Sequence, residues 1–352
     1  MLPLRDGPAR PARTGAAPAS PADPARGGLT VAYAGPGEGG TPSAAIAPPL
    51  CAVVHEGGAP APAGTGIVVR VPLVQLGGSP VAEQWHAPGS VQAARADGWN
   101  WAAAGELLFG ATELPAGSGV ELEDSAREAY RGALEGATGL GFPHLLRAWN
   151  VVPAINRPQD GLERYRRFCR GRAEAFEAHH GAGFEALLPA SSAVGSAEGP
   201  LVMWFLAARE PGVHHENPRQ VSAWAYPARY GPRSPSFARA TRCPAGAAGG
   251  RLLLSGTASI VGHRSVHLGD VSGQLDETLR NLETLLAAGD ELAAVRVYVR
   301  HAADAGQVRD ALERRLGAEL PALYLCADIC REELLVEVEG VAWGRVPGTA
   351  HP

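Results

Sequence analysis

The most regular alternation of apolar and polar positions lies in the last third of the chain. LLLSG (252–256) reads as a short strand, and SGQLDETLRNLETLLAAG then places Leu275, Leu279, Leu282 and Leu286 at the spacing of one helix face. Asp270 or Ser272 caps its start and Gly289 ends it. AAVRVYVR switches to period two, with Val295, Val297 and Val299 on one face and Arg296, Tyr298 and Arg300 on the other. A second amphipathic helix over about 303–316, carrying Val308, Leu312 and Leu316, leads through Gly317 and Pro321 into two further strands, ALYLCADIC and LLVEVEGVAW. The predicted order is β-α-β-α-β-β.

The first half follows a similar order with weaker signals: strands at 66–75 and 104–111, a helix at 122–136, HLLRAWNVV as a strand, a helix at 161–179, and LVMWFLAAR as a strand. Element order, without visible sequence identity, predicts an α+β fold made by internal duplication. The expected division is a disordered Pro/Ala-rich leader at 1–28, an N-terminal α+β subdomain at 29–210 and a C-terminal subdomain at 211–346.

Composition narrows the partners. With 31 basic and 36 acidic residues among 352 and a net charge of −5, the chain has no electrostatic footprint for nucleic acid or an anionic membrane. No run approaches the roughly 18 apolar residues of a membrane span, and the leader lacks the apolar core of a secretory signal, so a cytoplasmic protein is expected. The five cysteines, Cys51, Cys169, Cys243, Cys326 and Cys330, are an odd set without paired spacing and read as reduced thiols.

Chemistry concentrates in two places. Residues 217–239 hold Arg219, Arg229, Arg233 and Arg239, interleaved with Tyr226 and Tyr230 and stiffened by four prolines. Guanidinium forks bind carboxylates bidentately, so such a segment suits a small carboxylate ligand, although a solvated loop with paired arginines is equally compatible. In LLVEVEG, Glu337 and Glu339 share one strand face: exposed they are ordinary surface acids, but in an apolar pocket Glu337 becomes a proton donor near neutral pH, with Glu333 a weaker rival. Cys326 and Cys330, four apart, are expected on one side of their strand as core fillers or acid-base thiols. His263 and His267 have a helical metal-pair spacing but neither a helical context nor a third ligand, and the adjacent pairs His179/His180 and His214/His215 read as surface residues. GPGEGG (35–40) lacks the strand-to-helix context of a nucleotide loop.

ENPRQVSAWAYPARYGPRSPSFARA, SGTASIVGHRSVHLGD, ETLRNLETLL and LRAWNVVPAINRPQDGLERYRRFCRGR together resemble the chorismatases of actinobacterial secondary metabolism, over about residues 140–343. The C-terminal unit also resembles the RidA (YjgF) fold, so the resemblance implies two RidA/YjgF-like, chorismate-mutase-like units of a sheet plus helices, the active site lying in the C-terminal one. It further implies an enzyme acting on chorismate without metal or organic cofactor. Glu337 would protonate the methylene carbon of the enolpyruvyl ether, and Cys330, seven residues earlier, would aid the opening of an arene oxide to 3-hydroxybenzoate. The substrate carboxylates would fall to Arg229, Tyr230 and Arg233, then Tyr165 and Arg239, and to the strand end at Ser255, Gly256 and Thr257. Ala240 looks more like the pocket residue of the hydrolytic branch, which makes a dihydroxycyclohexadiene carboxylate, and Val151 replaces the tyrosine of the family's WNY. RidA-like imine hydrolysis and a ligand-binding protein without catalysis are the other classes. Both monomer and homotrimer are compatible with the sequence.

Overall fold

A computed structural model of the chain describes residues 28–35, 48–96, 98–116 and 121–344. The leader expected at 1–28 and the glycine run at 35–40 therefore lie outside the described residues, apart from Gly28 and Gly35. Two sheets form the body. The larger runs Thr30–Ala34, Ala82–His86, Cys51–Glu56, Ile67–Gln75, Ala322–Cys326, Glu291–Val299, Val336–Trp343, Leu252–Ala258, Ala240–Arg242, Val213–His215. The smaller runs Asp328–Ile329, Ala190–Ser196, His144–Pro153, Leu201–Ala208, Leu107–Leu114, Trp99–Ala104, Gln92–Ala96.

The helices are α1 (Leu122–Gly139), α2 (Arg164–His180), the short α3 (Ala245–Ala248), α4 (Val271–Leu285) and α5 (Ala305–Leu316). Helices α1 and α2 cover the outer face of the smaller sheet through a core that includes Leu134, Phe168, Phe176 and Phe205. The leucine stripe of α4 and Val308 and Leu312 of α5 meet Val295, Val297, Val336 and Val338 on the outer face of the larger sheet. The inner faces pack on each other, so the layers run helix, sheet, sheet, helix. No helix among the described residues is long and apolar enough to cross a membrane.

The duplication expected from element order is visible in the topology. Ala322–Cys326, Glu291–Val299, Val336–Trp343 and Leu252–Ala258 are neighbours in one sheet, and Ala190–Ser196, His144–Pro153, Leu201–Ala208 and Leu107–Leu114 are neighbours in the same order in the other. In each set the first pair is parallel and the next two are antiparallel. The parallel pairs are bridged by α5 and α2, as a crossover requires.

Three features differ from the sequence reading. The sheets cut across the boundary at 210/211: the strands between residues 30 and 86 join the larger sheet, where Val74 pairs with Cys326, and Asp328–Ile329 crosses to the smaller one. Without Ile67–Gln75, the strand Ala322–Cys326 would be an open edge. The single strand expected at 104–111 is a hairpin turning at Gly105, whose φ of 54° suits glycine. Ala190–Ser196 was not predicted, because ASSAVGS has no apolar periodicity, yet every residue of it is buried. Hydroxyls of the opposite sheet satisfy its backbone: Thr241 Oγ1 accepts from Ala190 N at 2.8 Å and Ser255 Oγ from Ser191 N at 2.8 Å.

Between the sheets Trp85, Phe109, Trp149 and Trp204 pack with ring centroids 5.5–6.2 Å apart, each worth about 2 kcal/mol or more of burial. The same layer buries four charges. Glu83 pairs with Arg296, which lies 2.9 Å from Glu339, and Arg147 lies 2.8 Å from Glu339. Trp85 and Trp149 donate their indole N–H groups to Glu83 and Glu339 at 2.6 and 2.9 Å. Two acids and two arginines balance, which is the condition for burying charge without a large desolvation penalty. The adjoining cavity, about 20 Å³ between Tyr33, Glu83, Arg147, Arg296 and Glu339, has room for about one water and is too small for a substrate.

Candidate active site

The alternation in VEVEGVAW sends Val336, Val338 and Ala342 to the α4/α5 core and Glu337, Glu339 and Val341 toward the second sheet. Solvent does not reach that face: Glu337 is 3% exposed and Glu339 4%. The two acids differ in their partners. Glu339 is held by Arg147, Arg296, Trp149 and the Ser192 hydroxyl. Among the described residues Glu337 is in no hydrogen bond or ion pair.

Glu337 occupies the volume of an absent side chain. A Cβ on Gly256 would lie 2.0 Å from its Oε1 and 2.9 Å from Ser192 Oγ, so a larger residue there would have to displace this carboxyl. Gly256 sits where the register of Leu252–Ala258 against Val336–Trp343 shifts, between Leu254 and Thr257, a bulge that re-aims the backbone. Burial pushes the Glu337 carboxyl up to about 8, the Glu339 charge adds to this, and Arg147 and Arg239 oppose it. Glu337 therefore carries a proton at neutral pH.

Cys330 and Cys326 do not share a side. Cys326 ends its strand against the helix-side core, the chain changes sheets at Ala327, and Cys330 packs with Ile329 and Leu334 and against the core that contains Tyr165. Arg300 fixes this loop by pairing with Asp328 at 2.6 Å and donating to the carbonyls of Ile329, Arg331 and Leu334 at 3.0, 2.9 and 2.7 Å. Burial pushes the Cys330 thiol up to about 12, with the Glu337 charge the next cause, so it is a neutral thiol and a potential proton donor. Tyr165 stacks on Phe168 at 6.5 Å, its phenol raised well above the usual range by burial and then by Cys169 and Cys330. Glu333, the rival acid, is exposed and accepts a 2.7 Å bond from the Ser265 hydroxyl.

The Arg/Tyr segment forms a ladder. The guanidinium of Arg239 lies 5.8 Å from the Tyr226 ring centroid, that of Arg331 5.3 Å from Tyr226 and 4.3 Å from Tyr230, and that of Arg229 5.1 Å from Tyr230. None of these three arginines has a carboxylate within ion-pair distance among the described residues. Arg239 is 2% exposed; it donates to Val221 O at 3.0 Å and to Tyr226 OH at 2.8 Å, and its Nε has no partner. Glu216 senses its charge without pairing to it. Arg331 donates to His263 O and Ser265 Oγ, both at 3.0 Å. Arg229 contacts His263 Nδ1 at 2.8 Å, and Tyr230 donates to His263 O at 2.7 Å.

Other expected ligand residues are committed elsewhere. Arg233 is paired with Glu177 of α2 at 2.7 Å, and Arg219 with Glu277 of α4. Ser255 Oγ donates to Ala238 O at 2.6 Å and Thr257 Oγ1 to Ser255 O at 2.9 Å, so both hydroxyls serve the backbone. Ala240 is fully buried in the helix-side core beside Leu252 and Leu254, not on the face that carries Glu337. His214 is half-buried on an edge strand, not a surface residue, and holds Thr241 Oγ1 at 3.0 Å. His263 and His267 make separate contacts, and among the described residues no three His, Cys, Asp or Glu side chains are grouped to hold a metal.

Sequence reasoning passed over Arg147, Ser192 and Arg331. The first stood out as a lone charge inside an apolar strand and the last as the neighbour of Cys330; Ser192 gave no signal.

A buried acid without a partner, a neutral thiol and a ladder of guanidiniums without carboxylate partners among the described residues are groups suited to chemistry on an anionic small molecule. The chain matches the family model for the N-terminal part of FkbO/Hyg5-like chorismatases over residues 83–207. A chorismatase from Streptomyces rapamycinicus is 43% identical over 277 residues, 74% of this chain and 81% of that protein. A 3-hydroxybenzoate synthase from Streptomyces hygroscopicus is 38% identical over 291 residues, 78% and 84% of the two chains. A chorismatase crystal structure superposes with a TM-score of 0.75 at 33% identity, covering 89% of this chain and 98% of that one. The chain belongs to the chorismatase family.

Proposed function

We propose that the protein converts chorismate to 3-hydroxybenzoate and pyruvate, with Glu337 as the proton donor. The observation that carries this reading is the buried, partnerless Glu337 carboxyl, protonated up to about pH 8. A general acid works best when its pKa lies near the working pH. Proton transfer from Glu337 to the methylene carbon of the enolpyruvyl ether leaves an oxocarbenium ion, and the bond between the ether oxygen and the ring carbon weakens. Attack of the neighbouring ring hydroxyl on that carbon expels pyruvate and closes an arene oxide, and the hydroxyl proton returns to the Glu337 carboxylate left by the first step. Opening of the oxide to a phenol moves a proton from ring carbon to oxygen; the neutral Cys330 thiol is suited to give a proton to the oxygen and recover the ring proton. The two products together contain all the atoms of the substrate, so no water is consumed.

Chorismate is a dianion. Arg239 and Arg331, both near the Tyr226 ring and without carboxylate partners among the described residues, supply the opposing charges, with Arg229 beside Tyr230. The relative named chorismatase supports the same substrate, and the relative named 3-hydroxybenzoate synthase supports the same product. The test is incubation of the purified protein with chorismate and no added cofactor. Pyruvate with an equal amount of 3-hydroxybenzoate is expected; pyruvate with a dihydroxycyclohexadiene carboxylate would move the protein to the hydrolytic branch.

A further inference from the structure

Ser192 stands at a junction of the two halves of the site. Its hydroxyl donates to Glu339, accepts from Arg147 Nη2 at 2.6 Å and accepts from the backbone N–H of Gly256 at 2.8 Å. One donor and two acceptor positions are the full capacity of a hydroxyl, so its orientation is fixed. Gly256 is the residue whose missing side chain leaves the slot for the Glu337 carboxyl, and Glu339 lies two residues along the same strand face. One connected set of bonds thus runs from a fixed anion to the wall of the proton donor's slot.

We propose that Ser192 and Glu339 are positioning residues for Glu337: Ser192 holds the Gly256 peptide that walls its carboxyl, and Glu339 is a fixed negative charge that opposes its ionisation. This inference rests on Glu337 being the proton donor. The groups around Glu337 from every packed element are Arg147 on His144–Pro153, Arg239 ahead of Ala240–Arg242, Tyr298 paired with it across Glu291–Val299, Cys330 on the preceding loop, and Glu339 on its own strand. Tyr298 and Cys330 are raised by burial and stay neutral, so the charged neighbours are two cations and one anion. Glu339 is the only one of these that favours the protonated acid. Its replacement also strips Arg147 and Arg296 of a counter-charge and strengthens the positive field at Glu337.

The sign follows directly. A general acid is active while protonated, so kcat/KM falls as pH rises through the Glu337 pKa. Glu339→Gln lowers that pKa and is expected to move the alkaline limb of kcat/KM for chorismate down by about one pH unit or more. Glu339→Asp keeps the charge and should leave the limb in its wild-type place. Ser192→Ala keeps every ion pair but frees the Gly256 peptide, and should lower kcat about tenfold or more with KM and the limb little changed. A uniform loss in Glu339→Gln with an unmoved limb would overturn the charge role, and an unchanged kcat in Ser192→Ala would overturn the positioning role. If Glu339→Gln does not fold, Ser192→Ala and Glu339→Asp still decide, since a limb displaced in Glu339→Asp also contradicts the proposal. Turnover by Glu337→Gln, measured alongside, separates failure of the donor assignment from failure of this one.

Discussion

At the residue scale, what decides the role of a side chain is the partner that folding brings to it. Period two in VEVEGVAW made Glu337 and Glu339 visible as a pair on one face, but the pattern cannot separate them. They part because Arg147, Trp149 and Ser192 arrive from the other half of the chain and engage Glu339 alone. Arg233 shows the converse, since it is paired with Glu177 of α2, a long-range partner that local sequence gives no hint of. Gly256 was legible only as part of a strand end; its function as the empty volume opposite Glu337 depends on a bulge. Gly256→Ala is expected to fold and to lose about a hundredfold in kcat, because a methyl 2.0 Å from Glu337 Oε1 must displace the carboxyl. Steady-state kinetics beside a thermal melt would check this, and wild-type kcat would show that the slot is not needed.

At the element scale, legibility follows the strength of the periodic signal. The leucine spacing of α4 and the alternation of Glu291–Val299 specify their elements because one face of each meets an apolar core. Ala190–Ser196 carries no such signal: its small side chains fit a tight space between sheets, and its backbone N–H groups at Ala190 and Ser191 donate to the hydroxyls of Thr241 and Ser255. The sheet change at Ala327, which sends Cys326 and Cys330 to different cores, is likewise a property of two sheets and not of one segment. Helix packing offers a sharper test. A Cβ on Gly171 of α2 would lie 2.0 Å from the Glu123 carbonyl oxygen of α1, whereas one on Gly132 of α1 meets nothing within 4 Å. Gly171→Ala should cost about 1–3 kcal/mol in urea unfolding, and Gly132→Ala should gain up to about 1 kcal/mol. Equal effects of the two would contradict the close approach of α1 and α2.

At the scale of the whole molecule, duplication explains why two sheets of like strand order face each other, and a shared inner core packs the two halves together. A block of strands from the start of the chain joins a block from its second half in the larger sheet, where Val74 pairs with Cys326, and the charged residues between the sheets come from both halves. Unfolding is therefore expected as one cooperative transition, with tryptophan fluorescence and far-UV circular dichroism coincident; two separated transitions would show that the halves are independent. The same arrangement sets the acid of one half against the arginine and serine of the other. The account stands on Glu337 as the proton donor, and the direct measurement is pyruvate release from chorismate by wild-type protein and by Glu337→Gln at pH 7. A loss of about 10²–10⁴-fold in the folded variant is predicted, whereas a variant that releases pyruvate at the wild-type rate would mean that another group supplies the proton.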